Sequence, residues 1–271
     1  MTAKKVLITG VYGLIAGAVY DHLCAQPEAY EVYGLARRRP SVRVSADWTL
    51  DIPEERFFQS DLSNLEEVEQ AVQGMDAVVH MAAEPSPRAG WDRILASNII
   101  GAYNLFEACR RANVKRVIAA SSIMVSFGYR DVEPYKAITE GLYADVPTPV
   151  PMVTHEMSPL PRDLYASSKV FGENLARTYA YAHGLSCICL RIGWVVAEDR
   201  PPYREAQDVW CSQRDIVQLV ERCITAPEDL RFDIFYGLSA NRWRWVDIEH
   251  ARQVVGYESQ DHGEDFYPSS A

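Results

Sequence analysis

The chain has 271 residues, a length that suits one large α/β domain with a small appendage and that can bury a substantial core. Its 27 basic and 37 acidic side chains give a net charge of −10, and no basic run exceeds Arg37-Arg38-Arg39, so nucleic acid is not an expected partner. The N-terminus leads into an apolar strand without a signal-type segment, and nowhere do 18 apolar residues follow one another. We therefore expect a soluble, cytoplasmic protein.

The cysteines and histidines form no metal-binding pattern in the sequence. The six cysteines include no Cys-x-x-Cys pair. Cys187 and Cys189 are two residues apart on a predicted strand, so both side chains point to the same face, which favours buried thiols. The six histidines are scattered along the chain, so we predict no metal site.

The first predicted elements surround a glycine turn. Residues 5–9 form an apolar strand, and apolar residues at helical spacing from residue 14 predict a helix. The turn between them reads Gly10-x-x-Gly13-x-x-Ala16, which is where a dinucleotide fingerprint is found. Gly10 allows the tight turn, Gly13 lets the backbone approach a pyrophosphate, and Ala16 permits close helix packing. The alternative is an ordinary strand-to-helix turn.

Arginines follow the second predicted strand, residues 30–36, at the place where the adenosine ribose is expected. NAD-specific sites usually carry an acidic residue there. Arg37, Arg38 and Arg39 suit a 2′-phosphate instead, so the sequence favours NADP over NAD. The alternative interpretation is a solvated loop after the strand.

The third predicted strand, residues 56–60, ends at Asp61. This carboxylate can accept a hydrogen bond from the adenine amino group, cap the helix that begins near Leu65, or do both.

Two further strands complete the predicted nucleotide-binding half. Residues 76–81 close on the small pair Ala82-Ala83, a long helix from about residue 91 to residue 112 carries Asn98, and residues 114–120 lead into Ser121-Ser122. Alternating strands and helices predict a doubly wound parallel sheet, whose ligands gather at the carboxyl ends of its strands.

Tyr165 and Lys169 are four residues apart on a predicted helix, so their side chains lie on one face. A nearby ammonium favours the phenolate over the phenol, which would let Tyr165 exchange a proton with an alcohol or a carbonyl. Without other motifs, this spacing is common and usually marks just two surface residues of a helix.

Taken together, these motifs resemble the extended short-chain dehydrogenase/reductase family, also called the NAD-dependent epimerase/dehydratase family, over nearly the whole chain. The family contains sugar epimerases and sugar dehydrogenases, and the resemblance implies a Rossmann-type fold with a small C-terminal substrate-binding portion. The matching motifs are Thr9-Gly10-x-x-Gly13-x-x-Ala16, Asp61-Leu62, His80-Met81-Ala82-Ala83, Asn98, Ser121-Ser122, Tyr165-x-x-x-Lys169 and Leu190-Arg191-Ile192-Gly193.

The resemblance implies the catalytic roles. Tyr165 is the acid/base, Lys169 lowers its pKa and binds the nicotinamide ribose, Ser122 holds the reacting oxygen, and Asn98 supports the proton path. The spacing after Ser122 departs from the family pattern, so Ser121 and Ser126 stay alternatives to it. Besides Asn98, Tyr165 and Lys169, the implied cofactor contacts are Gly10, Gly13, Leu14, Ile15, Arg37, Arg38, Asp61, Leu62, Met81, Ala82, Ala83 and Ile192.

Within the family, the short tail after Gly193 looks like the uronate dehydrogenase type, which oxidises sugars at the anomeric carbon. Ile123, Met124 and Trp194 replace polar residues of that subgroup, so a bulkier or less polar substrate is an alternative. Besides these three, the expected substrate contacts are Ser122, Tyr165 and three residues that can hold an anionic group or else belong to solvated loops: Ser86, Arg88 and Arg204.

An insertion precedes the Tyr165 helix at about residues 129–152. Its prolines and aromatic residues predict an ordered lid or pocket wall, with an oligomer contact as the alternative. We place the nucleotide-binding core at residues 1–193 and the substrate-binding portion at 194–271. A homodimer through the Asn98 and Tyr165 helices is expected from the family, although the apolar residues on the latter can equally belong to the core: Phe171, Leu175, Tyr179 and Ala182.

The resemblance therefore implies an NAD(P)-dependent sugar or sugar-acid dehydrogenase that forms a lactone. A sugar or sugar-nucleotide epimerase of the same fold and a reductase of a less polar ketone are the alternatives. A non-catalytic cofactor sensor is disfavoured because the tyrosine, the lysine and a serine are all present.

Overall fold

The structure is a computed structural model that describes residues 2–40 and 50–267. Its first half alternates strands and helices, with these bounds: β1 Lys4–Thr9, α1 Leu14–Cys24, β2 Tyr30–Ala36, β3 Phe57–Gln59, α2 Leu65–Val72, β4 Ala77–His80, α3 Trp91–Ile94, α4 Gly101–Arg111 and β5 Arg116–Ser122. The second half continues with α5 Tyr135–Thr139, α6 Leu164–His183, β6 Ser186–Ile192, α7 Gln213–Ile224, β7 Phe232–Gly237 and α8 Glu249–Val255.

The predicted doubly wound parallel sheet is confirmed. Seven parallel strands lie in the order β3-β2-β1-β4-β5-β6-β7. Because β1 pairs with β2 on one side and with β4 on the other, the strand order reverses between β1 and β4. Ligands of such sheets bind beyond the carboxyl ends of the strands at this reversal point.

Side chains of the strands alternate between two apolar layers, one on each face of the sheet. On β1, Val6 and Ile8 join one layer and Leu7 joins the other. Helices α1, α7 and α8 contribute to the first layer, and α2, α4 and α6 contribute to the second. Cys187 and Cys189 are buried together in the second layer, as their spacing predicts.

The sheet extends beyond residue 193, where the sequence placed the end of the core. β7 pairs with β6, and α7 packs against α1, so both elements belong to the nucleotide-binding layers. Other C-terminal residues form a third apolar cluster with the insertion, in which Tyr135 and Ile138 pack with Trp245 and Val246. None of the described helices is both long enough and apolar enough to cross a membrane.

The helix expected from about residue 91 to residue 112 is not a single α-helix. A π-helical segment, Leu95–Ile100, joins α3 to α4 and contains Asn98. Such segments are frequent at functional sites because they displace one residue from the regular helical path.

Candidate active site

Gly10 and Gly13 form a cradle at the carboxyl end of β1 that a larger residue would fill. Gly10 has a φ of +68°, and a Cβ at this position would lie 2.9 Å from the Cα of Ala82. A Cβ on Gly13, the N-cap of α1, would lie 3.1 Å from the carbonyl oxygen of Gly10. Both glycines, Leu14 and Ile15 are partly exposed at the start of α1. The cradle therefore fits the pyrophosphate of a dinucleotide.

Thr9 joins the ends of β1 and β4 beside this cradle. Its Oγ1 is 2.9 Å from the Nδ1 of His80 and accepts a hydrogen bond from the backbone N–H of Ala82 at 3.2 Å. Burial lowers the pKa of His80 to about 3, and the charge of Lys169 acts in the same direction. A neutral His80 thus helps to hold Ala82 close to Gly10, while Ala82 and Ala83 stay partly exposed.

The residues predicted at the adenosine end lie after β2 and β3. Arg37 and Arg38 are exposed directly beyond β2, and Asp61 is exposed beyond β3. The Oδ1 of Asp61 accepts from the backbone N–H and the hydroxyl of Ser63, at 2.9 and 2.8 Å. Burial opposes ionisation, but these hydrogen bonds and the charge of Arg37 outweigh it and lower the pKa of Asp61. The prediction that Asp61 caps α2 is wrong, because Asn64 is the N-cap.

Asn98 is buried between the loop after β4 and the start of α6. Its Oδ1 accepts from the backbone N–H of Glu84 at 2.7 Å, and its Nδ2 donates to the Glu84 carbonyl at 3.2 Å and to the Ser168 Oγ at 2.9 Å. Ser168 in turn donates to the carbonyl oxygen of Tyr165 at 2.6 Å. The π-helical segment thus connects Asn98 to the first turn of the helix that carries Tyr165.

The three candidate serines after β5 have different partners. The Ser121 hydroxyl donates to Glu173 at 2.6 Å, and the Ser126 hydroxyl is 2.7 Å from the Tyr236 hydroxyl. The Ser122 Oγ accepts from the backbone N–H of Met124 at 3.2 Å, and hydrogen bonding to Ser122 acts to lower the pKa of Tyr165, so the two hydroxyl groups face each other. Of the three serines, Ser122 is therefore the one that the structure brings to the tyrosine.

Burial dominates the protonation of Tyr165 and Lys169. The Lys169 Nζ lies 5.7 Å from the centre of the Tyr165 ring and donates to the Ala120 carbonyl at 2.8 Å. We expected Lys169 to lower the pKa of Tyr165; instead burial raises it, the Ser122 hydrogen bond opposes that rise, and the charge of Asp163 adds to it. Burial also lowers the pKa of Lys169 to about 8. The structure therefore presents a protonated phenol at neutral pH.

A buried ion pair that the sequence reasoning missed supports this site. Arg191 on β6 donates to both carboxylate oxygens of Glu173 at 2.9 Å, and to the Tyr236 hydroxyl at 2.8 Å. Because Glu173 also accepts from Ser121, the pair connects α6, β5, β6 and β7 behind the catalytic residues. Glu173 follows Lys169 by four residues, and that same-face spacing was the available signal.

The predicted apolar substrate residues belong to the third apolar cluster or pack against it. Ile123 is fully buried in the cluster, and Met124 and Trp194 pack against it. The Trp194 ring centre is 6.2 Å from those of Phe127 and Tyr203. Ile123 is thus explained by packing, whereas Met124 and Trp194 keep partly exposed surface.

Arg204 lies apart from the other predicted anion-binding residues. Ser86 and Arg88 occupy the loop after β4, where the Ser86 Oγ accepts from the Arg88 backbone N–H at 3.2 Å. Arg204 lines a pocket of about 440 Å³ in the C-terminal portion, and neither Ser122 nor Tyr165 is among the described residues that line it. The other lining residues are Tyr143, Gln207, Ala240, Arg242, Trp243, His262, Glu264, Asp265 and Tyr267.

Known proteins resemble the chain over most of its length. Residues 6–212 match the model of the NAD dependent epimerase/dehydratase family. An NAD-dependent glucose-6-phosphate dehydrogenase from Haloferax volcanii is 32% identical, with 97% of this chain and 95% of that protein covered. An L-arabinose 1-dehydrogenase (NAD(P)(+)) from the same organism is 33% identical, with 74% and 80% covered.

A solved structure agrees with these relatives. The uronate dehydrogenase from Agrobacterium tumefaciens, a mutant complexed with NAD, superposes with a TM-score of 0.77 at 27% identity. The superposition covers 97% of this chain and 87% of that chain. The fold and the length of the chain are therefore similar to those of a sugar-acid dehydrogenase.

Proposed function

Because the chain belongs to the NAD-dependent epimerase/dehydratase family, we propose that it is an NAD(P)-dependent dehydrogenase that oxidises a sugar or sugar acid at the anomeric carbon to a lactone. The observation that carries the proposal is the position of Tyr165 and Lys169 against the end of β5: the Lys169 Nζ lies 5.7 Å from the Tyr165 ring centre and donates to the carbonyl oxygen of Ala120, two residues before Ser122. The Gly10 cradle lies at the carboxyl ends of the same parallel strands. The relatives named as glucose-6-phosphate and L-arabinose 1-dehydrogenases support the substrate class.

In the proposed reaction, the side chains handle the proton of the anomeric hydroxyl. Ser122 donates to the reacting oxygen and orients it, while Tyr165, as phenolate, accepts the hydroxyl proton. A bound nicotinamide dinucleotide supplies the hydride acceptor, and its oxidised ring brings a positive charge. Lys169 fixes the ribose of that dinucleotide, and Asn98 holds the Ser168 end of α6 in place. Because burial raises the pKa of Tyr165, oxidation is expected to accelerate as the pH rises.

An apolar surface favours a second candidate substrate class. Met124 and Trp194 leave partly exposed apolar side chains where a sugar needs hydrogen-bonding groups. This observation favours the reduction of a bulkier, less polar ketone by the same residues.

The guanidinium of Arg204 suits an anionic substituent of the sugar, and this role stays a proposal because the described lining of its pocket contains neither Ser122 nor Tyr165. The insertion contributes Tyr143 to this pocket, which supports the view of the insertion as a pocket wall. We expect Arg204→Ala to raise KM for uronates or sugar phosphates at least about tenfold while leaving KM for neutral sugars unchanged, since only a charged group uses the guanidinium. An equal change for both classes would argue against this role.

The choice of dinucleotide depends on the arginines after β2. The predicted preference for NADP is not supported by the relatives, one of which is named as NAD-dependent and another as NAD(P)-dependent. Arg37 and Arg38 are exposed and suit a 2′-phosphate, so use of NADP stays part of the proposal. The ratio of kcat/KM for NADP to kcat/KM for NAD, measured in the wild type and in Arg38→Ala, shows which dinucleotide is preferred and whether Arg38 sets that preference.

A homodimer through α4 and α6 is also proposed. Exposed apolar side chains on these helices and the preceding π-helical segment support it: Ile100 is 40% exposed, Tyr103 47% and Phe171 37%. Light scattering of the wild type and of Phe171→Glu tests this state, because a charge in the interface would produce monomers.

The primary experiment is a panel of free sugars, uronates, sugar phosphates and apolar alcohols and ketones, assayed in both directions with NAD and NADP. A sugar dehydrogenase gives net reduced nicotinamide with the sugars. An epimerase returns its bound cofactor to the oxidised form and gives no net change.

A further inference from the structure

Three segments that are far apart in the sequence meet at the outer edge of the sheet. His155 lies just after the insertion, Asp233 on the edge strand β7, and His250 on α8. One ring nitrogen of each histidine and a carboxylate oxygen of Asp233 all lie within 4.8 Å of one another. The Nε2 of His250 is 2.8 Å from the Oδ1 of Asp233. The histidines that look scattered in the sequence are therefore neighbours in the fold.

The backbone around this cluster is held by ordered elements. Val153 and Val246 form a parallel bridge. The Val153 N–H donates to the carbonyl oxygen of Trp245 at 2.8 Å, and the Asp247 N–H donates to the carbonyl oxygen of Val153 at 3.0 Å. This bridge brings the segment before His155 to the chain that enters α8. β7 is in turn paired with β6 over its whole length. The three ligand-bearing segments are thus positioned before any ligand binds.

One ring nitrogen of His155 has no partner within the described part of the chain. Its Nδ1 is shielded from solvent and has no hydrogen-bond partner among the residues that the structure describes. A buried polar atom without a partner is destabilising, so this nitrogen calls for a partner that the described residues do not supply. The imidazole ring is stacked on that of His250, with centres 4.0 Å apart.

We propose that His155, Asp233 and His250 bind a divalent transition-metal ion, with Zn²⁺ as the reference ion. Two imidazoles and a carboxylate suit zinc, whereas magnesium and calcium prefer sites made only of oxygen. The site carries the negative charge of Asp233, and the nearby Arg191 is neutralised by its ion pair with Glu173. Three protein ligands leave the fourth tetrahedral position to water.

Metal binding requires a small closure of the cluster. Ligands at 2.0–2.1 Å from a tetrahedral ion are about 3.3 Å apart, so atoms now up to 4.8 Å apart approach by as much as about 1.5 Å. The Nε2 of His250 and the Oδ1 of Asp233, now 2.8 Å apart, separate slightly. The nearly parallel imidazoles turn out of their stack so that both lone pairs point to one centre. The ion then fastens the insertion to β7 and α8, and its expected effect is on stability.

Calorimetric titration of the chelator-treated, full-length protein with ZnCl₂ tests the site. We expect one ion per chain and a rise in Tm of about 5 °C or more at saturating zinc. His155→Ala, Asp233→Asn and His250→Ala should each weaken binding at least about 100-fold and abolish the rise in Tm. His22→Ala is the matched control, since His22 pairs with Glu221 elsewhere, and it should bind zinc like the wild type.

X-ray absorption of the wild-type zinc complex keeps the test decisive even when a variant fails to fold. Scattering from imidazoles with oxygen or nitrogen at about 2.0–2.1 Å supports the assignment. Sulfur scattering at about 2.3 Å would place zinc at a cysteine and overturn it. Absence of binding by the wild type, or unchanged affinity in His155→Ala, would also overturn it.

Discussion

Replacing Lys169 by methionine should stabilise the protein while abolishing hydride transfer. Burial lowers the pKa of Lys169 from its usual 10.5 to about 8. That difference is equivalent to about 3 kcal/mol of folding free energy lost at pH 7, where the buried group is charged. Methionine has a similar shape and removes this cost, but it also removes the hydrogen bond from the charged ammonium to the Ala120 carbonyl, worth about 1.5–3 kcal/mol. The net gain is about 0.5–2 kcal/mol, or a Tm higher by roughly 2–5 °C.

The stability difference between Lys169→Met and the wild type should depend on pH. The pKa of Lys169 is lower in the folded state than in the unfolded state, so the folded state binds fewer protons and the wild type gains stability as the pH rises from about 8 to 10.5. The difference in free energy of unfolding between Lys169→Met and the wild type should therefore shrink by about 1.4 kcal/mol between pH 7 and pH 9.

Urea unfolding of the cofactor-free proteins at pH 7, 8 and 9 measures this difference. Lys136→Met is the matched control, because Lys136 is an exposed lysine that faces Glu140, and its effect on unfolding should be small and independent of pH over this range. A Lys169→Met protein that is less stable than the wild type at pH 7, by an amount that does not change with pH, would refute the reasoning.

Other substitutions test the remaining parts of the site. Tyr165→Phe should lower turnover by about 10²–10⁴ while dinucleotide affinity, measured by fluorescence titration, stays within about threefold; turnover preserved within tenfold would contradict an acid/base role. Gly10→Ala should weaken dinucleotide binding at least about tenfold, because the new Cβ lies 2.9 Å from the Ala82 Cα; unchanged affinity would argue against the cradle. Glu173→Gln should cost about 3–5 kcal/mol in urea unfolding by leaving Arg191 without its counter-charge, whereas a loss below about 1 kcal/mol would show that the pair is dispensable.

The sequence predicts the nucleotide-binding half well because its information there is local. A strand, a glycine turn and a helix can each be identified from neighbouring residues. Because the strands are parallel, Thr9, Ala82 and Ser122 then lie together at the carboxyl ends of β1, β4 and β5. The spacing of Tyr165 and Lys169 is local in the same way. The local sequence does not show how deeply a side chain is buried. Burial raises the pKa of Tyr165, whereas the spacing predicts that Lys169 lowers it.

The features that were missed depend on contacts between distant segments. Glu173 and Arg191 look like ordinary charged residues until the fold buries them together. The bridge between Val153 and Val246 helps to bring His155 close to His250, and no periodicity in the sequence indicates that bridge. The π-helical segment around Asn98 is missed because one extra residue in a turn leaves the apolar pattern nearly unchanged.

The most direct test of the proposed oxidation uses the best sugar of the panel with deuterium at its anomeric carbon. We predict net formation of reduced nicotinamide, one deuterium in that nicotinamide by mass spectrometry, and an equal amount of lactone. In Tyr165→Phe all three should form about 10²–10⁴ times more slowly. Isomerised sugar without net reduced nicotinamide, or reduced nicotinamide that carries no deuterium, would contradict oxidation at the anomeric carbon.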